Sequence, residues 1–322
     1  MTIVTSLNLN ADLPAPRRIL DPAVTGTTVP PADASPGTQE TAPPAQGNSS
    51  LTPTNLQNPA ENLAFTRQIV AKSTQFYQEN PKFTCRLTRR ERVNGKLMPR
   101  ELMVMSFRLE PRSVYYKWLD ETNAGRELVY VDGQNDGKII TLGGRGDFLM
   151  TGKRVKVDPT GILARNNGRY PITESGMDRM MARLGGQLDD LAQGNQSHGE
   201  IRYMGVASRP EYAEPLDYIV HYIPPKADKA FPIGGVRHWY FDRKTARLVL
   251  MHADDSRGEF LEYYLFDRFL PNPALENQDF DPDYLWPKDK RAAASPARLP
   301  GSTLVASPSS LPNWRSLSIA RL

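Results

Sequence analysis

Four histidines, a few clustered carboxylates and one thiol are the side chains of this sequence with chemistry to offer. His198, His221, His238 and His252 are scattered along 322 residues, with no pair at the spacing of a metal-binding helix or loop. The single Cys85 excludes an intrachain disulfide and a cysteine-based zinc cage, so neither metal nor cofactor is expected. The only histidine–carboxylate groupings are His252-Ala253-Asp254-Asp255 and His238 near Asp242. A hydrolase would also need an activated nucleophile and an oxyanion site. Neither Gly-x-Ser-x-Gly nor a Cys–His arrangement is present, so no catalytic residue is assigned and the chain reads as a non-enzyme.

Other short motifs have plain structural readings. Asp132-Gly133 and Asp136-Gly137 lack the oxygen ligand series and closing Glu of an EF-hand and read as a turn. Gly143-Gly144-Arg145-Gly146 opens no helix and reads as a loop. Glu174, beside Ser175, is explained by a helix start, where the dipole favours an acid. Arg89, Arg90, Glu91 and Arg92 read as the solvated face of a strand.

The apolar residues carry more information. Met177, Met180, Met181, Leu184 and Leu188 recur at helical spacing, while Met103, Met105 and Phe107 share one face of a strand. Tyr116 and Trp118 share a face of the next strand, which is aromatic on both sides at Tyr115-Tyr116. These ten residues are either ordinary core or the lining of an apolar cavity. Methionine suits the second role because its flexible thioether side chain adapts to irregular ligands.

The elements that must position them follow from periodicity. Pro59 starts a helix whose stripe of Leu63, Ile69, Val70, Ser73 and Phe76 runs to about Glu79. Phe83, Cys85 and Leu87 then alternate with polar residues, and Asn94-Gly95 marks a hairpin returning through Leu102 to Phe107. Strands are expected at 114–118, 126–131, 138–142 and 154–157, then a second helix over 173–193 with Thr173 as N-cap. Further strands fall at 200–206, 216–223, 236–241, 247–252 and 259–266, too closely spaced for βαβ crossovers. The fold class is α+β: a strongly curved antiparallel sheet of about ten strands, an incomplete barrel packed around helices.

Composition bounds the domain. Residues 1–58 hold nine prolines and no aromatic, and residues 288–322 hold four prolines and only Trp314. Such stretches cannot bury enough apolar area to offset backbone ordering, so both are expected to be disordered tails around a single domain at 59–287. The first tail carries a net charge of −2, the second +5 and the domain only +1. The basic balance thus belongs to a tail, which argues against nucleic acid as a partner. No apolar run is long enough for a transmembrane helix. The opening Met-Thr-Ile-Val-Thr-Ser-Leu-Asn has no basic n-region, so no secretory signal is read there. The expected address is the cytoplasm, or the periplasm or cell envelope if the true start lies upstream.

Five segments, in order, carry a resemblance. They are Arg90-Glu-Arg-Val-Asn-Gly-Lys-Leu-Met-Pro99, Gly125-Arg-Glu-Leu-Val-Tyr-Val-Asp-Gly133, Arg169-Tyr-Pro-Ile-Thr-Glu-Ser-Gly176, Tyr240-Phe-Asp-Arg-Lys-Thr245 and Asp279-Phe-Asp-Pro282. Together they resemble the bacterial domain-of-unknown-function 1571 family over about 62–287. The architecture is similar to periplasmic lipoprotein carriers of the LolA and RseB type. The resemblance implies an open barrel closing over a helix, with an apolar cavity for acyl chains and an exported protein. The expected function is non-enzymatic binding of a lipid, lipoprotein or other acylated ligand. The alternative is an interaction module with a filled core, docking an envelope protein on its outer face or an edge strand. A connected apolar void of several hundred cubic ångströms favours the first, and a dense interior the second.

Overall fold

The computed structural model describes residues 57–287. The two expected tails lie outside the described residues, apart from positions 57 and 58.

Helix α1 (Pro59–Glu79) begins where expected. Asn58 accepts a hydrogen bond from the Ala60 amide at 2.9 Å, and Pro59 occupies the first turn, where no amide hydrogen is needed. Its buried stripe is Asn62, Thr66, Ile69, Val70, Ser73 and Tyr77. β1 (Lys82–Val93) turns at Asn94 and Gly95, both at positive φ (50° and 79°), the backbone of a tight hairpin. The return strand is broken into β2 (Lys96–Leu97) and β3 (Glu101–Arg108), separated by a segment containing Pro99, which has no amide hydrogen for the ladder. β4 (Ser113–Trp118), β5 (Glu127–Val131), β6 (Ile139–Leu142) and β7 (Arg154–Val157) continue outward as antiparallel neighbours.

The chain then crosses the sheet through α2 (Ile162–Arg165) and α3 (Met177–Ala192). α3 starts four residues later than the spacing predicts. Residues 172–174 form a separate 3-10 turn, and Gly176 at φ 117° breaks the path. A Cβ on Gly176 would also lie 2.7 Å from the Phe107 ring, so glycine is required here and Thr173 is not the cap. β8 (Glu200–Arg209) and β9 (Tyr212–Ile223) are longer than expected, because pairing extends to Arg209 opposite Tyr212 at a turn of Pro210 and Glu211. β10 (Gly235–Asp242), β11 (Leu248–Asp255) and β12 (Phe260–Pro271) complete the sheet, and α4 (Pro282–Leu285) follows.

The twelve-stranded sheet runs β7-β6-β5-β4-β3-β1-β12-β11-β10-β9-β8, with β2 paired to β1, and it is not closed. An antiparallel sheet this wide curls as its twist accumulates. α1 and α3 cover its inner face and build one core cluster with residues from β1, β3–β6 and β8–β12. On the outer face over β4–β6, Leu275, Phe280 and Trp286 pack on Tyr115, Val129 and Ile140. No described helix is long and apolar enough to cross a membrane.

Candidate functional site

Strand alternation explains what lies under α3. On β1 the inward positions are Phe83, Cys85 and Leu87, and the same alternation continues to Arg89 and Glu91. On β10 it gives Arg237, Trp239 and Phe241, and on β12 Glu262, Tyr264 and Phe266. Each of these strands is apolar along most of its inward face and ionic at one end. The expected solvated face is therefore half wrong: Glu91 is only 4% exposed, and the Arg89 side chain is largely covered. Arg90 and Arg92 do take the outward alternation.

The ionic end is fully paired. Glu262, with no exposed surface, receives Arg169 at 3.0 Å, Arg237 at 2.9 Å and the Tyr170 hydroxyl at 2.8 Å. The Arg237 guanidinium also donates to the Tyr170 oxygen at 2.8 Å and lies over the rings of Phe231 and Trp239. Glu91 accepts from the Tyr264 hydroxyl and from the Arg169 amide at 3.3 Å. Arg89 pairs with Glu101, whose other oxygen accepts the Trp118 indole N–H at 2.9 Å. Burial, with Glu91 and Glu262 nearby, pushes the Tyr264 phenol well above its ordinary range. Burial also works against the charge of Arg237, but Tyr170, Glu262 and Asp228 more than offset it and hold its pKa above the usual value.

Between this end and α3 lies a cavity of about 80 Å³. Its apolar wall includes Met105, Tyr116, Met177, Met180 and Leu184, five of the ten predicted residues, and Trp239, Met251 and Phe266, which the sequence reading did not single out. The Tyr116 hydroxyl lies 3.2 Å from Ser175 Oγ at one side. Glu174, Arg179 and Arg183 of the α3 end add charge to the rim, with Arg183 bonded to Glu174 at 3.3 Å. Trp239 is 3% exposed, and its indole N–H has no partner among the described residues. No histidine lines this cavity among the described residues.

The other five predicted residues sit elsewhere in the core. Met103 is fully buried, Phe107 belongs to a stack with Phe83 at 4.9 Å, and Trp118 is tied to Glu101. Met181 and Leu188 flank a groove between α3 and α1.

The histidines separate into two environments. His221 is buried on the inner face, where its Nε2–H donates to the His198 carbonyl oxygen at 2.8 Å, and burial lowers its pKa to about 4. His238 and His252 face each other across β10 and β11 on the outer face, with ring centroids 4.4 Å apart. Their pKa values fall to about 4 and about 3, chiefly through burial, with the Arg209 charge adding to both. They lie 14 residues apart on successive strands, a spacing no helical or loop metal motif uses, and it is strand register that sets them side by side.

An open antiparallel sheet with helices on its inner face and a small, partly ionic cavity beneath one of them defines the α+β class of this domain. Residues 80–288 match the family described as "Protein of unknown function (DUF1571)", and the chain belongs to that family. No curated protein matches the sequence.

Several solved structures are similar. The MucA/MucB complex of Pseudomonas aeruginosa aligns at 16% identity over 67% of this chain and 60% of that one, with a TM-score of 0.39. The lipoprotein LppX of Mycobacterium tuberculosis aligns at 10% identity over 66% and 96%, TM-score 0.38. A LolA superfamily protein from Nitrosomonas europaea aligns at 9% identity over 68% and 98%, TM-score 0.24.

Proposed function

We propose that this domain is a non-enzymatic binding protein that holds a lipid or another acylated ligand between the sheet and α3. The observation that carries this reading is the cavity wall around Trp239. There a buried indole N–H without an acceptor, a state that costs about 1–3 kcal/mol, sits in a wall shared with the adaptable side chains of Met105, Met177, Met180 and Met251. A ligand with an apolar chain and one polar oxygen satisfies both parts. At 80 Å³ the cavity is smaller than an acyl chain needs, so this reading requires α3 to move outward when the ligand binds. Burial of the chain then contributes roughly 0.8 kcal/mol per methylene.

The small cavity also favours a second reading. In an interaction module the interior stays filled, and an edge strand or the outer face docks a protein partner. Native mass spectrometry of the full chain, followed by solvent extraction, separates the two. Adducts of lipid mass in the wild type that vanish in a folded Met180→Lys variant support the carrier. A clean apo mass that persists after incubation with lipid vesicles supports the module.

A further inference from the structure

The outer face of β9–β11 holds a second cluster unrelated to the cavity. His238 on β10 is the register partner of His252 on β11, and Asp254 lies two residues along β11, on the same face. One donor atom from each residue lies within 4.8 Å of the others, and all three side chains are only half-buried, so an ion can reach them from solvent. Among the described residues this is the one group of three such donors that comes together.

The surroundings resemble the outer shell of a metal centre. The Tyr218 hydroxyl is 2.7 Å from His238 Nδ1, which leaves Nε2 of that ring to face a ligand. Tyr240 sits beside His252, its hydroxyl 3.4 Å from Nε2, and stacks on Tyr218 at 4.7 Å. The two tyrosines thus buttress both imidazoles. Arg209 is the cation in this neighbourhood, and it is bonded to Glu211 at 2.8 Å, while Asp254 and the adjacent Asp255 leave the local balance acidic.

We propose that His238, His252 and Asp254 form a binding site for a divalent first-row transition ion, with two imidazoles and one carboxylate as ligands and the remaining positions open to water. Two nitrogens and one oxygen suit Zn²⁺, Ni²⁺ or Cu²⁺ better than Ca²⁺ or Mg²⁺, which prefer all-oxygen sets. Donors around a tetrahedral ion at about 2.0–2.1 Å lie roughly 3.4 Å apart. The cluster therefore closes by up to about 1.4 Å on binding, within reach of side-chain rotation on a fixed pair of strands. The unfilled coordination makes this an exchangeable site rather than a structural one.

The test is a Zn²⁺ titration of the full chain, without a polyhistidine tag, followed by calorimetry, with Co²⁺ absorption as an independent readout of nitrogen coordination. The expected result is one ion per chain. Binding is lost in His238→Ala and in His252→Ala and is unchanged in His198→Ala, which removes an unrelated histidine. Tyr218→Phe, which deletes only the outer support, should weaken binding by roughly tenfold. Should either histidine variant fail to match the wild-type circular dichroism spectrum, Asp254→Asn replaces it. Absence of zinc binding by the wild type, or equal binding by the folded variants, overturns the assignment.

Discussion

Glu262 has no contact with solvent and faces two guanidiniums, Arg169 and Arg237, neither of which has more than a tenth of its side chain exposed. Removing its charge while keeping its shape leaves Arg237 with only Asp228, 4.0 Å away, as an ion-pair partner, and Arg169 with the carbonyls of Arg92 and Ala230. A buried pair broken on one side is costly even where the intact pair adds little. Glu262→Gln should therefore lower stability by about 3–5 kcal/mol, measured by urea unfolding. A loss under about 1 kcal/mol would show that water reaches these charges. The network was partly legible in the sequence. Phe83, Cys85 and Leu87 establish the inward positions of β1, and the same count of two reaches Arg89 and Glu91. What hid it was the convention that charges face water. That rule fails here because the partners of Glu91 and Glu262 arrive from β10, β12 and the segment before α3, at separations no local pattern encodes, while Arg89 pairs with its hairpin neighbour Glu101 on β3.

At the level of elements, the periodic segments were readable and their interruptions were not. α1 matches its expected bounds because Pro59 opens it and Ile69, Val70 and Ser73 of the expected stripe are buried, although Leu63 and Phe76 are only half-buried and Asn62, Thr66 and Tyr77 complete the inward face. α3 does not, because Thr173 resembles a cap while the close approach of Phe107 to Gly176 decides where the helix starts. Its interior makes a separate prediction. Gly185 and Gly186 sit mid-helix, and a Cβ on Gly186 would meet nothing within 4 Å. Gly186→Ala should then raise stability by about 1 kcal/mol, through helix propensity alone. If α3 is the wall that yields to a ligand, the same change should slow lipid uptake without altering the lipid mass bound. A destabilised variant would instead show that the groove beside α1 is tighter than the structure has it.

For the molecule as a whole, the order of strands could not be read from sequence. Local hairpins were expected, but the pairing of β1 with β12 joins residues nearly 190 positions apart, and it is this closure that brings the ionic strand ends together. The same assembly sets the response to acid. His221 on β9 is 1% exposed, and its folded pKa is about 4 against an ordinary 6.5. On acidification the unfolded chain takes the proton first, so stability is fully present above about pH 6.5, declines as pH falls, and levels off below about 4. The shift corresponds to about 3 kcal/mol. His221→Gln keeps an N–H for the His198 carbonyl but cannot titrate. Across urea titrations from pH 7 to pH 4, the wild type should therefore lose up to about 3 kcal/mol more than the variant. Parallel curves for the two proteins would mean that this imidazole is protonated in the folded state and that β9 opens to water well before the sheet unfolds.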